Sequence, residues 1–476
     1  MVELHDESAL ELWTALQRGE TTPTQLVEHT IDRVERLGPR YGAFATVTAD
    51  AARERARLVA ESVPRTAPLW GIPLADKDLV NRAGVPTGFG SRVFAGQVAA
   101  ASDELVDVLD AAGSVSLGKT ATPEFGLAGY TEPVATGPVR NPWDPTRGAG
   151  GSSGGAAAAV AARLLPFAPG SDGGGSIRIP AAACGLVGLK PSRGLVPAAS
   201  GISSLAGLAV GGSIARTVTD AAFLLDAMIG RRNGRIDHHY TLRAPDDNDG
   251  DLLGAAVRGE GRFQIGILEN TPWDDDVEIT VAPEAAQTVL ETARLLTSRG
   301  HGIETFRLDH DGSYPGHFRG VWYASAAGLP VDGDALDLLE PLTRALLERG
   351  RAMPSRELIE HLMALTAFER SVIAQFSRFD AVMTPTLALT PRPLGWFDAE
   401  DADRNFAQQC AYEPYTSFVN VAGLPAITLP VLQTAEGLPM GVQLIGRPGG
   451  EATLLSLGRQ LERSVRWELR RPPGID

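Results

Sequence analysis

Two clusters of glycine and serine, separated by an alanine-rich segment, constrain the fold of this chain more than any other feature. The first cluster is GGSSGG at residues 150–155, and the second is DGGGS at residues 172–176. Glycine allows a backbone to come close to another segment or to a ligand, and it adopts conformations that other residues avoid. The apolar stretch at 155–165 between the clusters predicts a buried helix. The pattern therefore predicts a closely packed region with two backbone-lined loops.

The second cluster predicts an anion-binding loop beside a nucleophile. The backbone N–H groups of Gly173, Gly174, Gly175 and Ser176 are expected to be unpaired and to converge on an anion. A serine next to such donors is the arrangement of a nucleophile beside its own oxyanion hole. The structural alternative is a glycine-rich turn in which Ser176 only caps a helix.

The base that would activate this serine is predicted to be a lysine. The chain has eight histidines, but none lies between His29 and His238, so the glycine-rich region lacks the usual partner of a catalytic serine. Lys77 ends the apolar segment 69–77, LWGIPLADK, which predicts a strand. Burial lowers the pKa of a lysine until its neutral amine is available near neutral pH. A lysine exposed at the end of a surface strand is the alternative.

These residues resemble the amidase signature family. The resemblance is carried by segments 150–155, 170–181 and 184–191, and it extends to segments 118–126, 141–143, 420–426 and 441–446. It implies an α/β fold with a large mixed twisted β-sheet flanked by helices on both faces. It also implies a single domain over 1–476, with a signature core at about 65–230 and 405–476. A more variable, largely helical insert at about 230–400 is expected to help form the substrate pocket.

The family's Ser–cisSer–Lys triad corresponds by position to three residues of this chain. Ser176 is then the nucleophile, Ser152 is the bridging serine on a cis peptide bond, and Lys77 is the terminal base. The resemblance implies hydrolysis of a carboxamide or related C–N bond, in an amide, an anilide, a carbamate or a cyclic amide, through an acyl-enzyme. A glutamine-hydrolysing component of an amidotransferase is the alternative, and an inactive binding paralogue is disfavoured by the intact triad.

Supporting residues are expected around this triad. Ser153 is predicted either to hydrogen-bond Lys77 or to cap the alanine helix. Asp172 and Arg178 are predicted to be buried partners that fix the glycine loop. Asp76 is expected to point away from Lys77, because neighbouring side chains of a strand face opposite sides.

The substrate pocket is less defined than the triad. The family resemblance implies a pocket that includes Gly126, Tyr130 and Trp322. Their aromatic side chains suggest an aromatic or extended apolar substrate, and the alternative is that they are core residues of the variable insert. Gly173 stands where the glutamine-processing amidotransferase chains usually carry threonine, which favours the stand-alone amidases and the cyclic-dimer hydrolases of nylon oligomers. The acyl and amine parts of the substrate stay open.

Composition excludes several other classes of function. A net charge of -15 argues against a nucleic-acid partner, and no apolar stretch reaches the length of a membrane span. Two cysteines, Cys184 and Cys410, argue against a disulfide framework and favour the cytoplasm. No residue spacing predicts a metal site or a cofactor.

Segment 113–120 matches the P-loop expression, but its strand-like pattern is the wrong context for a nucleotide. The expected partners are a small-molecule amide and water, with a homodimer left open.

Hydrophobic periodicity predicts alternating helices and strands. The remaining helices are expected at 7–18, 24–37, 48–62, 101–113, 283–300, 451–464 and, in large part, 333–378. Further strands are expected at 114–117, 263–268, 381–386, 421–432 and 438–446. Residues 231–262 are charge-rich, with an exposed loop expected at 246–251.

Overall fold

The computed structural model describes residues 3–196, 204–230 and 252–475 of the chain, so the loop expected at 246–251 lies outside the described residues. The α-helices in these ranges are Ala9–Arg18 (α1), Pro23–Tyr41 (α2), Ala49–Ser62 (α3), Glu104–Ala111 (α4), Gly154–Ala161 (α5), Arg178–Ala183 (α6), Val218–Ile229 (α7), Leu252–Arg258 (α8), Pro283–Ser298 (α9), Tyr314–Ala327 (α10), Pro341–Ala352 (α11), Ser355–Phe376 (α12), Ala402–Tyr412 (α13), Ser417–Val421 (α14) and Glu451–Val465 (α15). Short 3₁₀ helices lie at Arg92–Phe94, Glu124–Gly126, Leu205–Gly207, Gly333–Leu338 and Trp467–Leu469.

Strands alternate with these helices along most of the chain. Their bounds are Phe44–Val47 (β1), Pro73–Lys77 (β2), Val115–Thr120 (β3), Arg140–Asn141 (β4), Asp144–Gly148 (β5), Phe167–Asp172 (β6), Val187–Lys190 (β7), Val210–Ala215 (β8), Gln264–Leu268 (β9), Gly302–Phe306 (β10), Ala381–Pro385 (β11), Ala426–Gln433 (β12) and Pro439–Gly446 (β13). The prediction of an α/β protein is confirmed.

The centre of the fold is a mixed eight-stranded sheet in the order β10-β9-β11-β13-β12-β7-β8-β6. Strand β9 pairs in parallel with β10 and β11, and the other pairs are antiparallel. Neighbouring residues of its strands enter two different hydrophobic cores. Ile427 and Leu444 pack in the core that contains α7, α9 and α15, whereas Ala426 and Ile445 pack in the core that contains α10, α12 and α14. Because side chains alternate along a strand, helices cover both faces of the sheet, as predicted.

A three-stranded sheet, β1-β3-β2, lies beside this main sheet. Strand β2 contacts β6, the strand that leads into the second glycine cluster. The predicted strand at 69–77 begins only at Pro73, because Gly71 turns the chain with a φ of 79°. All five residues of β2 are buried. This contact brings Lys77 to the loop that follows β6.

The P-loop match at 113–120 forms a strand and not a phosphate loop. Strand β3 contains its last six residues, and its lysine, Lys119, is buried with its Nζ atom bound to the carbonyl of Val80 and to Thr87. This is the strand-like context that argued against nucleotide binding.

The alanine-rich helix α5 is buried along its whole length. It begins at Gly154 and ends at Ala161, four residues before the predicted end at 165. A Cβ atom at Gly155 would lie 2.3 Å from the backbone nitrogen of Ala121. Only residues without a bulky side chain therefore allow the helix to pack this closely against the segment after β3.

The region at 230–400 contributes both helices and sheet. Strands β9, β10 and β11 belong to this region and form one edge of the main sheet, so it is more than a helical insert. The helical segment predicted at 333–378 is divided, because Pro341 opens α11 and Pro354 precedes α12. Among the described residues, no helix combines the length and the apolar character that a membrane crossing requires.

Candidate active site

Lys77 is buried at the end of β2 and is bound by two serines. Its Nζ atom lies 2.8 Å from Oγ of Ser152 and 3.0 Å from Oγ of Ser171. Burial lowers the pKa of Lys77 to about 7, although the negative charge of Asp172 opposes this effect. A pKa lowered in this way makes the neutral amine available near neutral pH, and a neutral amine can accept a proton.

Ser152 lies on a cis peptide bond after Gly151, as the family resemblance predicts. The backbone of Tyr130 approaches this bond so closely that a Cβ atom at Gly151 would lie 2.5 Å from the Tyr130 carbonyl oxygen. Glycine is therefore required before Ser152 for steric reasons. The side chain of Ser152 is 2% exposed and faces Lys77, so its hydroxyl can exchange protons with the amine without competition from bulk water.

The loop of the second cluster is held by a fully buried ion pair. Both carboxylate oxygens of Asp172 accept hydrogen bonds from Arg178, at 3.0 and 2.9 Å, and the carboxylate also accepts from the backbone nitrogens of Gly175 and Ile177. Asn420 donates to Asp172 at 2.9 Å. The charge of Arg178 holds the pKa of Asp172 well below its usual range, despite complete burial. The structure thus brings the two predicted supporting residues, Asp172 and Arg178, together in one buried ion pair.

The ion pair changes the predicted set of oxyanion donors. The N–H of Gly175 was expected to face the substrate, but it donates to the Asp172 carboxylate at 2.8 Å. Since one N–H makes one good hydrogen bond, Gly175 is used to shape the loop. In the described part of the chain, the N–H groups of Gly173, Gly174 and Ser176 have no hydrogen-bond acceptor. These three donors are available to a developing oxyanion.

Ser176 lies close to the first cluster, and its residue is 8% exposed. The backbone nitrogen of Ser153 donates to the Ser176 carbonyl oxygen at 3.2 Å, which joins the two glycine–serine clusters. Lys77 is hydrogen bonded to Ser152, whereas no hydrogen bond links the hydroxyls of Ser152 and Ser176 in the described residues.

Ser153 is the N-cap residue of α5, which is one of its two predicted places, but its hydroxyl makes no capping hydrogen bond. The hydroxyl does not bond Lys77, and it donates weakly to the Ser171 carbonyl oxygen at 3.4 Å. Ser171 holds Lys77 instead, and the sequence reasoning missed it. Its sequence position could have indicated this role, because Ser171 directly precedes Asp172 on a strand that runs beside Lys77.

Asp76 points away from Lys77, as predicted. Its carboxylate accepts from Arg82 at 2.7 Å and from the hydroxyl of Ser116 at 2.8 Å. Lys77 bonds the serines on the other side of the strand. The negative charge of Asp76 is thus paired with Arg82.

A cleft that is open to solvent leads to Ser176, and four of its sixteen lining residues are aromatic. Gly126 and Trp322 line it, as predicted, but Tyr130 does not. The ring of Tyr130 stacks on Phe397 with centroids 4.2 Å apart, and its hydroxyl accepts from Asn405. The Tyr130 side chain is therefore a packing residue, and its backbone is the part that approaches Gly151. The remaining lining residues are Leu127, Ala128, Gly129, Gly174, Ile179, Trp273, Phe318, Phe406, Gln409, Cys410, Glu413, Thr416 and Ser417.

Two residues of the segment before α14 were missed by the sequence reasoning. Thr416 donates its hydroxyl to the Gly174 carbonyl oxygen at 2.6 Å and so holds the anion-binding loop in place. Glu413 brings a carboxyl group into the aromatic cleft. No local pattern around 413–416 indicates a site, since these residues reach the cleft only through the tertiary fold. Within the described residues, no group of three or more His, Cys, Asp or Glu side chains could hold a metal ion.

Comparisons with known proteins assign this chain to a family. The family model described as Amidase matches residues 25–455. A Mycobacterium tuberculosis protein named as an amidase, AmiB2, is 36% identical over 462 residues, which is 96% of each chain.

Solved structures agree with this assignment. A 6-aminohexanoate cyclic dimer hydrolase bound to its substrate is 29% identical with a TM-score of 0.88, and the similarity covers 100% of both chains. A bacterial aryl acylamidase of the amidase signature family has 26% identity and a TM-score of 0.84, covering 98% of this chain and 97% of the other. One chain of the Thermotoga maritima glutamyl-tRNA(Gln) amidotransferase has 26% identity and a TM-score of 0.81, covering 100% and 99%. This chain therefore belongs to the Amidase family and is an amidohydrolase with the mixed α/β fold of the amidase signature enzymes.

Proposed function

We propose that this amidohydrolase acts through an acyl-enzyme on Ser176, with Ser152 and Lys77 as a proton relay. The observation that carries the proposal is the hydrogen bond of 2.8 Å between the Lys77 amine and the Ser152 hydroxyl, inside a site that buries both groups. Burial lowers the pKa of Lys77 to about 7, so the amine is a competent base near neutral pH.

The relay moves one proton in each half of the reaction. As Ser176 Oγ attacks the amide carbonyl, its proton passes to Ser152, and the proton of Ser152 passes to Lys77. The free N–H groups of Gly173, Gly174 and Ser176 bind the oxyanion of the tetrahedral intermediate. The C–N bond then breaks, and the relay returns the proton to the leaving amine. Water attacks the acyl-enzyme by the same route and releases the acid.

The relay also requires a hydrogen bond between the hydroxyls of Ser152 and Ser176, which the described residues do not make. Catalytic hydrogen bonds are often long in the free state and shorten in the complex with substrate. Ser176 is already placed by the backbone hydrogen bond from Ser153 to its carbonyl oxygen. The proposed relay therefore needs the Ser176 hydroxyl to come within hydrogen-bond distance of the Ser152 hydroxyl when the amide binds.

The cleft supports an amide with an aromatic or extended apolar group. Trp322 packs over the anion-binding loop, where a Cβ atom at Gly173 would lie 3.6 Å from its ring. Amides, anilides, carbamates and cyclic amides all present a planar carbonyl next to nitrogen, and all fit this chemistry. The proposed reactants are the amide and water. The proposed compartment is the cytoplasm, where the two buried cysteines can stay unpaired.

The alternative is a glutamine-hydrolysing component of an amidotransferase. The similarity to the Thermotoga chain keeps it open, while the glycine at position 173 favours a stand-alone amidase. The two functions separate in one assay. A stand-alone amidase releases ammonia from simple primary amides without any partner chain, whereas an amidotransferase component requires its partner and glutamine.

The proposal is tested with a small panel of variants. Ser176→Ala is expected to abolish hydrolysis of a nitroanilide. Lys77→Arg is also expected to abolish it, because the guanidinium keeps a positive charge but cannot give up its proton. Replacement of each histidine by alanine is the control and is expected to leave the activity unchanged. Full activity of Ser176→Ala would contradict the mechanism.

A further inference from the structure

Ser417 brings a hydroxyl group to the cleft that the proposed relay does not use. It is the first residue of α14, lines the cleft and is 7% exposed. Thr416, directly before it, donates to the Gly174 carbonyl oxygen at 2.6 Å. A Cβ atom at Gly174 would lie 4.0 Å from Cβ of Ser417. The Ser417 side chain therefore stands beside the loop that is proposed to bind the oxyanion.

Two buried aromatic residues hold the oxygen of this hydroxyl in place. The indole Nε1 of Trp273 donates to Ser417 Oγ at 3.1 Å, and the hydroxyl oxygen of Tyr314 lies 2.8 Å from the same atom. The rings of Trp273 and Tyr314 meet edge to face, with centroids 5.5 Å apart, and both residues are buried. The wall of the cleft thus fixes the position of Ser417 Oγ.

The hydrogen-bonding capacity of the two hydroxyls determines which one donates to the other. If Ser417 donated to Tyr314, the buried phenol hydrogen would need a different acceptor, and the described residues offer none. A buried donor without an acceptor costs free energy. Tyr314 therefore donates to Ser417. The hydroxyl oxygen of Ser417 then accepts from both Trp273 and Tyr314, which uses its two lone pairs.

The hydrogen of the Ser417 hydroxyl has no partner in this arrangement. No group in the described ranges accepts it, and this includes the Oε2 atom of Glu413 in the same cleft. The hydroxyl is more than nine-tenths buried, its oxygen is fixed and its residue lines the cleft. Because buried polar groups are normally paired, this donor indicates an acceptor atom that arrives with a ligand.

The neighbouring walls of the cleft make this donor selective. Phe318 lies 3.7 Å from the position of a Cβ atom at Gly174, and Trp273 and Trp322 line the same cleft. A ligand that fills this space displaces the water that would otherwise bind the hydroxyl. A ligand without an acceptor atom then leaves the hydroxyl unpaired, which disfavours its binding.

We propose that Ser417 is a specificity-determining donor, which selects amides that carry a second acceptor oxygen, an ether or a carbonyl, close to the scissile carbonyl group. This inference rests on the proposed function in one respect: the scissile carbonyl must lie at the loop of Gly174. The hydrogen bonds from Trp273 and Tyr314 support the donor itself independently of the hydrolysis mechanism.

The test measures binding without turnover, in the Ser176→Ala enzyme. Calorimetry compares 2-methoxy-N-phenylacetamide with N-phenylbutanamide, and N-(2-methoxyethyl)benzamide with N-butylbenzamide. Each pair exchanges one methylene group for an ether oxygen, on the acyl side in the first pair and on the amine side in the second. The ether ratio is the affinity for the ether divided by the affinity for its hydrocarbon counterpart. In at least one pair, adding Ser417→Ala is expected to lower this ratio about twofold to tenfold, the effect of one neutral hydrogen bond.

Three further variants in the same enzyme make the result specific. Tyr314→Phe removes the phenol but leaves the Ser417 hydroxyl free to donate, so the ether ratio is expected to stay unchanged. Ser325→Ala is the matched control, because Ser325 donates to Val321 of its own helix and lies outside the cleft lining. Ser417→Cys keeps the size of the side chain with a weaker donor and is expected to lower the ratio as Ser417→Ala does. Thermal unfolding shows which of the two variants of Ser417 is folded.

The outcomes separate this inference from the proposed function. An ether ratio that is unchanged in both ligand pairs when a folded variant of Ser417 is compared with its parent would overturn the inference. A preference for the ether that appears only in Tyr314→Phe would also overturn it, because Ser417 would then donate to Tyr314. Hydrolysis of 2-methoxy-N-(4-nitrophenyl)acetamide is measured in parallel. Its hydrolysis by Ser176→Ala at the wild-type rate would contradict the proposed function and leave the Ser417 subsite standing.

Discussion

Removal of the Ser171 hydroxyl tests how Lys77 is held in its active form. Ser171 Oγ lies 3.0 Å from the Lys77 amine and is its second side-chain partner after Ser152. Ser171→Ala removes one hydrogen bond, whose net contribution is about 0.5–1.5 kcal/mol. That loss corresponds to a decrease in kcat/KM of about twofold to tenfold. The decrease is expected because the amine is less well directed at Ser152.

Ser171→Ala is also expected to change the pKa of Lys77, and the direction of that change determines how the pH profile of the activity moves. An acceptor next to the amine stabilises its charged form, so its loss lowers the pKa of Lys77 below its value of about 7. The shift is expected to be no more than about one pH unit, because 1.36 kcal/mol corresponds to one unit. The activity needs neutral Lys77, so it rises with pH through this pKa. The acid limb of the pH profile therefore moves to lower pH in Ser171→Ala.

The assay is kcat/KM for a nitroanilide measured between about pH 5 and pH 9, which spans the pKa of Lys77. Ser171→Thr keeps the hydroxyl and is the control, with an acid limb expected at the wild-type position. An acid limb that moves to higher pH in Ser171→Ala would refute the reasoning. An unchanged rate and profile would also refute it, because Ser171 would then have no part in holding Lys77.

Three further predictions follow from the site. Gly173→Ala is expected to keep the fold and most of the activity, since its Cβ atom would meet Trp322 at an ordinary 3.6 Å. Gly175→Ala is expected to lose at least about a hundredfold in kcat/KM, because φ at Gly175 is 138° and the new Cβ atom would lie 2.5 Å from Ile179 and Thr416. Thermal unfolding and kcat/KM compare this pair. Asp172→Asn leaves the buried guanidinium of Arg178 without its counter-ion and is expected to lower the free energy of unfolding by about 3–5 kcal/mol. Asp403→Asn removes a charge from an exposed ion pair and is expected to change the free energy of unfolding by less than about 1 kcal/mol. Denaturant titration measures both. Trp322→Ala opens the cleft and is expected to shift preference towards bulkier acyl groups, and a panel of anilides with acyl groups of increasing size checks it.

The candidate triad and the general fold came from the family resemblance, which rests on short local motifs, and the residues around Ser176 and Lys77 independently favoured a serine nucleophile with a lysine base. Glycine, serine and alanine in one short segment leave few ways to pack, and a histidine-free region limits the choice of base. The strand ending in Lys77 and the loop ending in Ser176 were therefore recognisable before the contact between β2 and β6 was known. The triad's chemical roles stay predictions until the variants are measured.

The remaining features depend on contacts between distant segments. Gly175 was assigned to the oxyanion hole because its sequence position is equivalent to that of its neighbours, but the Asp172 carboxylate takes its N–H. Tyr130 was assigned to the pocket because it is aromatic and lies near Gly126, but it stacks on Phe397. Glu413 gave no signal, because nothing in its sequence neighbourhood shows that its Oε2 atom lies against Gly129.

The central claim is that Ser176 carries the acyl group while buried Lys77 serves as the base. Rapid-quench mass spectrometry during turnover of an activated anilide tests it most directly. The account predicts an acyl adduct on the peptide that contains Ser176 within the first turnover, and much slower formation of the same adduct in Lys77→Arg. An acyl adduct on another residue would contradict the account. Turnover without an acyl adduct on any residue would also contradict it.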